Sequence, residues 1–291
     1  MSGDAQKILI RRGSLSAKEI TRKNARTFYL ASLFLPRRKR FAAYAVYAIC
    51  RESDESVDSL QESHKFTRLT KIKLDIQTAY SQNPLADPLL LAFRKTVKEY
   101  AIPHEYFAEL IQGMEMDLTK QRYANFHELY DYSYKAAGVI GLIMLRIFES
   151  DSPQIRQYAL DLGTAMQLTN IIRDIREDLQ RGRIYLPQDE MAAFGISDND
   201  IKNGKIKKEF KDLIKFQIER TRQYYRNADT GIRMIRGWRS RLVAKIMSRM
   251  YSAILSCIER SDYDVISKKI TLSNSQKAVR LIGIIFGRTR V

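Results

Sequence analysis

The stretch QLTNIIRDIRED, residues 167–178, decides how the chain is read. Gln167, Asn170, Asp174 and Asp178 are separated by three, four and four residues. Those steps bring side chains to one face of an α-helix. A helix turned toward a core carries an apolar stripe on that face. Here the stripe is two amides and two carboxylates, flanked by Leu168, Ile171, Ile172 and Ile175. A second segment, YAVYAICRESDESVD at 44–58, repeats the pattern. Tyr47, Arg51, Asp54 and Asp58 fall at steps of four, three and four, within a run rich in Ala, Val, Ile and Tyr.

Like charges one helical turn apart weaken an isolated helix. Taken singly, Asp54/Asp58 or Asp174/Asp178 reads as a solvated helix surface. Two such pairs together ask for a compensating cation. Arg51 and Arg173 supply part of it, and a divalent ion supplies the rest. A hard cation takes oxygen ligands and is held by one or two carboxylates plus substrate phosphates. Carboxylates at this spacing, ~6 Å apart at Cβ, can share one. Two such helices facing each other make a cavity lined by four acids, and nearby arginines then meet phosphate oxygens. His64, His104 and His127 are scattered and no HExxH occurs, which argues against zinc.

The rest of the chain reads as helical and continuous. Six prolines and 13 glycines leave no linker that would divide it. Helix starts are expected at Ser16–Glu19, a capping-box pattern, at Pro103 and at Pro153. One helix is expected from Pro153 to about Leu179, and another through SRLVAKIMSRMYSAILSCIE, 240–259. The expectation is a single all-α domain over 1–291, of about ten helices, with residues 1–15 as a flexible N-terminal extension. Trp238 and the methionines read as packing.

Fifty Lys and Arg against 33 acids give a net charge of +17. Such a surface attracts polyanions. No recognised nucleic-acid motif accompanies it, so phosphorylated substrates and an anionic membrane are the expected partners and nucleic acid is not. Cys50 and Cys257 have no paired spacing, consistent with a reducing, cytoplasmic setting. The start is not that of a signal peptide, and no run approaches the ~20 apolar residues of a membrane span. The expected location is cytoplasmic and peripheral at a membrane surface. Composition leaves the oligomeric state open.

Four motifs resemble the squalene/phytoene synthase family, the head-to-head prenyl-diphosphate condensing enzymes. They are YAICRESDESVD (47–58), GMEMDL (113–118), YSYKAAGVIG (132–141) and QLTNIIRDIREDLQRGRIYLP (167–187), in the family's order. The likeness runs from about residue 20 to 290. It implies the isoprenoid-synthase fold, an all-α helical bundle around a central cavity. It implies two prenyl diphosphates handled with Mg²⁺ (or Mn²⁺) on Asp54, Asp58, Asp174 and Asp178. It places Tyr132 as the aromatic nearest the carbocation. Thr27, Tyr47, Arg51, Gln167, Asn170, Arg173, Arg183, Tyr185 and Tyr251 are implied as substrate-binding residues, and Asp117 as a support. One departure is ARTF at 25–28, where relatives carry S-x-S-F, so that Thr27 alone keeps a hydroxyl.

The resemblance implies condensation through a cyclopropylcarbinyl diphosphate. The segment SDYDVISKKITLS (261–273) is most like bacterial phytoene synthases, which gives two geranylgeranyl diphosphates as substrates and phytoene as product. The alternatives are a C30 synthase using two farnesyl diphosphates (giving squalene, dehydrosqualene or presqualene diphosphate) and a non-catalytic member acting as an assembly factor. The reductive relatives carry a C-terminal membrane helix, so no NADPH is expected here.

Overall fold

A computed structural model describes residues 3–58, 62–204 and 206–285. Among them the chain runs through α1 (Gly3–Asn24), α2 (Arg26–Ser32), α3 (Arg37–Asp58), α4 (Glu62–Tyr80), α5 (Pro88–Glu99), α6 (His104–Thr119) and α7 (Phe126–Ser133). A π turn, Tyr134–Gly138, leads directly into α8 (Val139–Phe148). Then follow α9 (Pro153–Arg173), α10 (Ile175–Gln180), α11 (Gln188–Ala193), α12 (Asp198–Lys202), α13 (Lys208–Met234), α14 (Trp238–Arg260) and α15 (Asn274–Ile285). Among the described residues the β structure is one isolated bridge, Arg122 to Ile184. The fold is all-α, as the periodicity predicts.

Local chemistry sets many of the boundaries. Asp87 caps α5, its carboxylate accepting from Leu90 N with Pro88 in the first turn. Asn125 does the same for α7 through Glu128 N. Ser197 and Asp200 close a reciprocal capping box on α12.

The expected start at Ser16 is not a helix start. From Gly3 onward the segment expected as a flexible extension is already α1, and Ser16 lies inside it. Tertiary packing explains the difference: α1 lies against α3 and α5, with Ala17 and Thr21 fully buried. At Gly13 a Cβ would lie 1.7 Å from Pro88 O, so only glycine allows that approach.

Helix α9 runs through the middle, packed against α13, α8, α14 and the π turn. One apolar cluster gathers α3 to α8 and includes the Phe93–Phe107 edge-to-face pair at 4.9 Å. A second joins α9 to α13 and α14, and a third joins α2, α8 and α14. Each fully buried Leu, Ile or Phe in them contributes about 1.5–3 kcal/mol. The clusters leave a cavity of about 450 Å³ between α3, α8, α9, α13 and α14.

The helix expected from Pro153 to Leu179 is interrupted at Asp174. There φ is −103° and ψ is 17°, outside the α region. The backbone bonds Asp174 N to Asn170 O (2.8 Å) and Asp178 N to Asp174 O (2.9 Å) survive the bend. Asp178 therefore stays on the same side as Asn170. Trp238 departs from its expected packing role: it opens α14 and is 65% exposed.

Candidate active site

Both polar stripes face the same cavity. Tyr47, Arg51 and Asp54 line it from α3, and Gln167, Asn170, Asp174 and Asp178 line it from α9 and α10. The side chain of Asp58 lies outside the described residues. Tyr132, Arg183, Tyr185 and Tyr251 complete the polar lining expected from the sequence. Two expected residues are not in the lining. Thr27 is half-buried on α2, where the helical step from Ala25 to Phe28 puts those two on the cavity side instead. Arg173 points along the helix and grips Asp174 with both ends of its guanidinium, Nε to Oδ1 at 2.7 Å. It orients a lining acid rather than presenting itself to the cavity.

The acids are electrostatically tense. Burial, then the neighbouring charge of Asp174, pushes the Asp178 carboxyl up to about 7, against the partial relief of Arg181 and Arg183. Arg181 Nη1 stands 3.8 Å from Asp178. Asn170 Oδ1 is buried and makes no hydrogen bond in the structure. A buried acceptor without a donor costs about 1–3 kcal/mol. An orphaned carbonyl oxygen one turn from a strained carboxylate pair is the donor set of a hard divalent cation, so the residues fit such an ion. Among the described residues no three acids, histidines or cysteines gather closely enough to hold a metal unaided. This matches an ion held by a carboxylate pair and completed by substrate phosphate.

Behind the acids sits a tyrosine network. Tyr185 donates to Asp117 Oδ1 at 2.6 Å and Tyr132 donates to Asp117 Oδ2 at 3.1 Å. Gln167 Nε2 reaches the Tyr132 hydroxyl at 3.4 Å, and Arg183 Nη1 lies 3.9 Å from Asp117. The Tyr132 and Tyr185 rings stack at 5.1 Å, and Tyr123 stacks on Tyr185 from behind at 5.7 Å. Burial first, and Asp117 next, raises both hydroxyls well above the ordinary tyrosine value. They are neutral donors at any working pH.

Backbone turns bring this network together. Gly182, at φ 75°, ends the α10 region in a conformation that favours glycine. The chain then runs beside residues 121–124, with Ile184 N bonded to Gln121 O and Gln188 N to Tyr123 O. That pairing buries Arg183 and Tyr185. The π turn serves the other side. It lies between Tyr132 and Gly141, whose missing Cβ would be 2.2 Å from Ala159 O on α9. Gly138 meets only ordinary contacts, the nearest 3.4 Å away.

Away from the acids the lining turns apolar. Val46 and Ala43 continue it along α3, Ile155 and Ala159 along α9, with Phe148 and Ile235 at the far end. From Asp174 to Ile155 is about 28 Å of helix. The site is therefore a charged mouth on a long greasy chamber.

Residues 21–276 match the squalene/phytoene synthase family profile. The chain belongs to the squalene/phytoene synthase family. It is 36% identical to the 15-cis-phytoene synthase of Synechococcus elongatus, over 91% of this chain and 89% of that protein. It is 37% identical to a chloroplastic phytoene synthase of an Oncidium hybrid cultivar, over 94% of this chain and 67% of that one. Its fold superposes on the crystal structure of a ligand-bound dehydrosqualene synthase with a TM-score of 0.88 at 25% identity, covering 96% and 97% of the two chains. Family members are prenyltransferases that act on prenyl diphosphates and depend on divalent metal.

Sequence reasoning did not single out Arg181 or Phe28, both of which line the cavity. Arg181 follows Asp178 by one helical step, the i,i+3 spacing of an ion pair, and that signal was present. Phe28 ends the ARTF stretch that stands where relatives carry S-x-S-F, so a motif signal was present for it too.

Proposed function

We propose that the chain joins two geranylgeranyl diphosphates head to head, giving phytoene through a cyclopropylcarbinyl diphosphate. The observation that carries this reading is the cavity itself: acids from two helices line one end, and beyond Gln167 the lining along α9 is apolar for about 18 Å, to Ile155. The curated relatives at 36–37% identity are named phytoene synthases. The dehydrosqualene synthase neighbour supports the C30 alternative, at a lower identity of 25%. The acids retained in both motifs disfavour a non-catalytic assembly role. The whole chain is proposed to act as one condensing domain.

A bound Mg²⁺ or Mn²⁺ would neutralise the diphosphate leaving group and so lower the barrier to its departure. The Asp174/Asp178 pair would hold such an ion together with substrate phosphate, Asp54 would serve the same role from α3, and Asn170 Oδ1 would be available to the ion or its water. Arg51, Arg181 and Arg183 would pair with diphosphate oxygens. When the first C–O bond breaks, the allylic cation attacks the second donor's double bond, and loss of a proton closes the cyclopropane. The second C–O bond then breaks, the ring rearranges to the central linkage, and a second proton leaves. Two diphosphates and two protons are released, with diphosphate as the proton acceptor. Because the last cation is discharged by proton loss, NADPH has no place in the sequence.

Tyr132, Tyr185 and Tyr47 present rings to the passing positive charge. The apolar walls exclude the water that would quench it. Pyrophosphate release and hydrocarbon mass decide the matter. With both donors competing, a C40 hydrocarbon is expected, unchanged by NADPH, and predominantly C30 product would move the chain to the alternative.

The +17 charge and lipid-soluble substrates also support peripheral contact with anionic membranes. No described helix is long and apolar enough to cross one. Vesicle sedimentation across a salt series tests this, and binding is expected to weaken as salt rises.

A further inference from the structure

Three turns meet at the apolar end of the cavity. They are the α2–α3, α8–α9 and α13–α14 turns. Lys39 Nζ, near the start of α3, donates to Phe148 O at 2.8 Å. Arg236 N, in the α13–α14 turn, donates to Ser150 Oγ at 3.0 Å. Phe148 and Ile235, which belong to this end, also line the chamber.

The outside of this end is apolar and basic together. Leu33 is 45% exposed, Met234 44% and Trp238 65%. Gly237, at φ 76° with open space around it, makes the sharp turn that leads into Trp238. Arg37, Arg233, Arg236 and Arg239 are exposed around them. Among the described residues these four form no ion pair. Arg239 instead lies over the Trp238 ring at 5.2 Å, and Arg37 over Phe41 at 5.7 Å. The acids of this end are already matched. Glu149 faces Lys39 at 2.9 Å and Arg38 at 3.7 Å, and Asp151 faces Arg146 and Arg156 at 2.9 and 2.7 Å. What remains is a cationic rim around exposed apolar side chains, without acidic partners among the described residues.

We propose that this end of the bundle is the face that docks on an anionic lipid surface, with Trp238 and Met234 at the headgroup boundary and Arg233, Arg236 and Arg239 on lipid phosphates. The assignment rests on the reading of peripheral membrane contact given above and names the surface that makes it. Three physical points select lipid as the occupant. The rim is arginine without acid, which complements a uniformly negative sheet. Tryptophan prefers the membrane–water interface, where an apolar ring and a polar N–H are both accommodated. Arginine keeps its stem in the apolar layer while its guanidinium meets phosphate. Docked this way, the protein places the greasy end of its chamber against the medium that dissolves prenyl chains, and keeps the acids toward water.

Trp238 is the chain's single tryptophan, so its emission reports this face alone. The full chain is mixed with vesicles of phosphatidylcholine, or of phosphatidylcholine with phosphatidylglycerol. With the anionic vesicles we expect a blue shift, quenching by acyl-chain-brominated lipid, and reversal by salt. The Arg236→Glu/Arg239→Glu double variant is expected to bind at least about tenfold more weakly in sedimentation. Its circular dichroism and its turnover in detergent should be unchanged, and Trp238→Ala provides a second variant. Binding with no change at Trp238, or a double variant that binds like the parent, overturns this face and leaves peripheral contact standing. Failure to bind either vesicle overturns both. A Trp238 shift that follows protein concentration without vesicles puts a second copy on this face and overturns the lipid assignment.

Discussion

Tyr185 donates its hydroxyl to Asp117 at 2.6 Å, and this bond ties the segment after α10 to the end of α6. Asp117 also faces the buried Arg183 guanidinium at 3.9 Å. Both side chains of that ion pair are nearly inaccessible. Removing one partner from a buried pair strands the other, at a cost of about 3–5 kcal/mol. Asp117→Ala is therefore expected to lower the unfolding free energy by that amount, read as a fall in the midpoint of chemical denaturation at unchanged slope. An unchanged midpoint would mean that Arg183 is solvated after all.

Asp54→Asn and Asp174→Asn each keep the shape of a carboxylate and remove its charge. Loss of metal assistance at a leaving group costs several kcal/mol, and each 1.36 kcal/mol is about tenfold in rate. Turnover should fall by about a thousandfold or more, with circular dichroism unchanged. Pyrophosphate release near the parental rate in either variant would remove the acids from the chemistry. In the unmodified protein, EDTA should stop release and added Mg²⁺ or Mn²⁺ should restore it.

Asp178 makes the metal-free fold sensitive to pH, with a definite sign. Its folded value of about 7 stands above the ordinary 3.8. Between those values the folded chain holds a proton that the unfolded chain has released, so this group's contribution to stability falls as pH rises across that window. Asp178→Asn should leave stability near pH 4 unchanged and raise it by a few kcal/mol at pH 8. Thermal melts in EDTA at several pH values read the difference. A divalent cation should narrow it by stabilising the ionised carboxylate in the parent.

Gly141→Ala tests the close approach of α8 to α9. A Cβ there meets Ala159 O at 2.2 Å, a backbone atom that cannot rotate away. Overpacking of this kind costs about 1–3 kcal/mol. A melting temperature equal to the parent's would show that the two helices separate without penalty.

The two acid stripes were legible because a helix repeats every 3.6 residues, and a polar stripe amid Ile and Leu stands out against that period. The long periodic segments 153–173 and 238–260 were legible for the same reason. Contacts distant in sequence were not. Gly13 sits inside α1 because Pro88 approaches it, and no local pattern records that. Trp238 is exposed because the α13–α14 turn points it outward, whereas composition favours a buried tryptophan. The break at Asp174 also escaped notice, since both backbone bonds flanking it keep helical spacing. Thr27 shows the limit of motif transfer: its motif position was matched, but the helical phase of α2 turns it off the cavity.

The π turn at 134–138 makes this part of the chain unusually exact about its length. It accommodates one residue more than an α-helix would, as a local widening. Closing the same residues into a regular α-helix would let α7 and α8 merge with better local bonding. It would also rotate everything before the turn by about 100° relative to everything after it. Tyr132 could then face the cavity, or Gly141 could face Ala159, but not both. At this point the best helix and the working site call for sequences that differ by one residue in length.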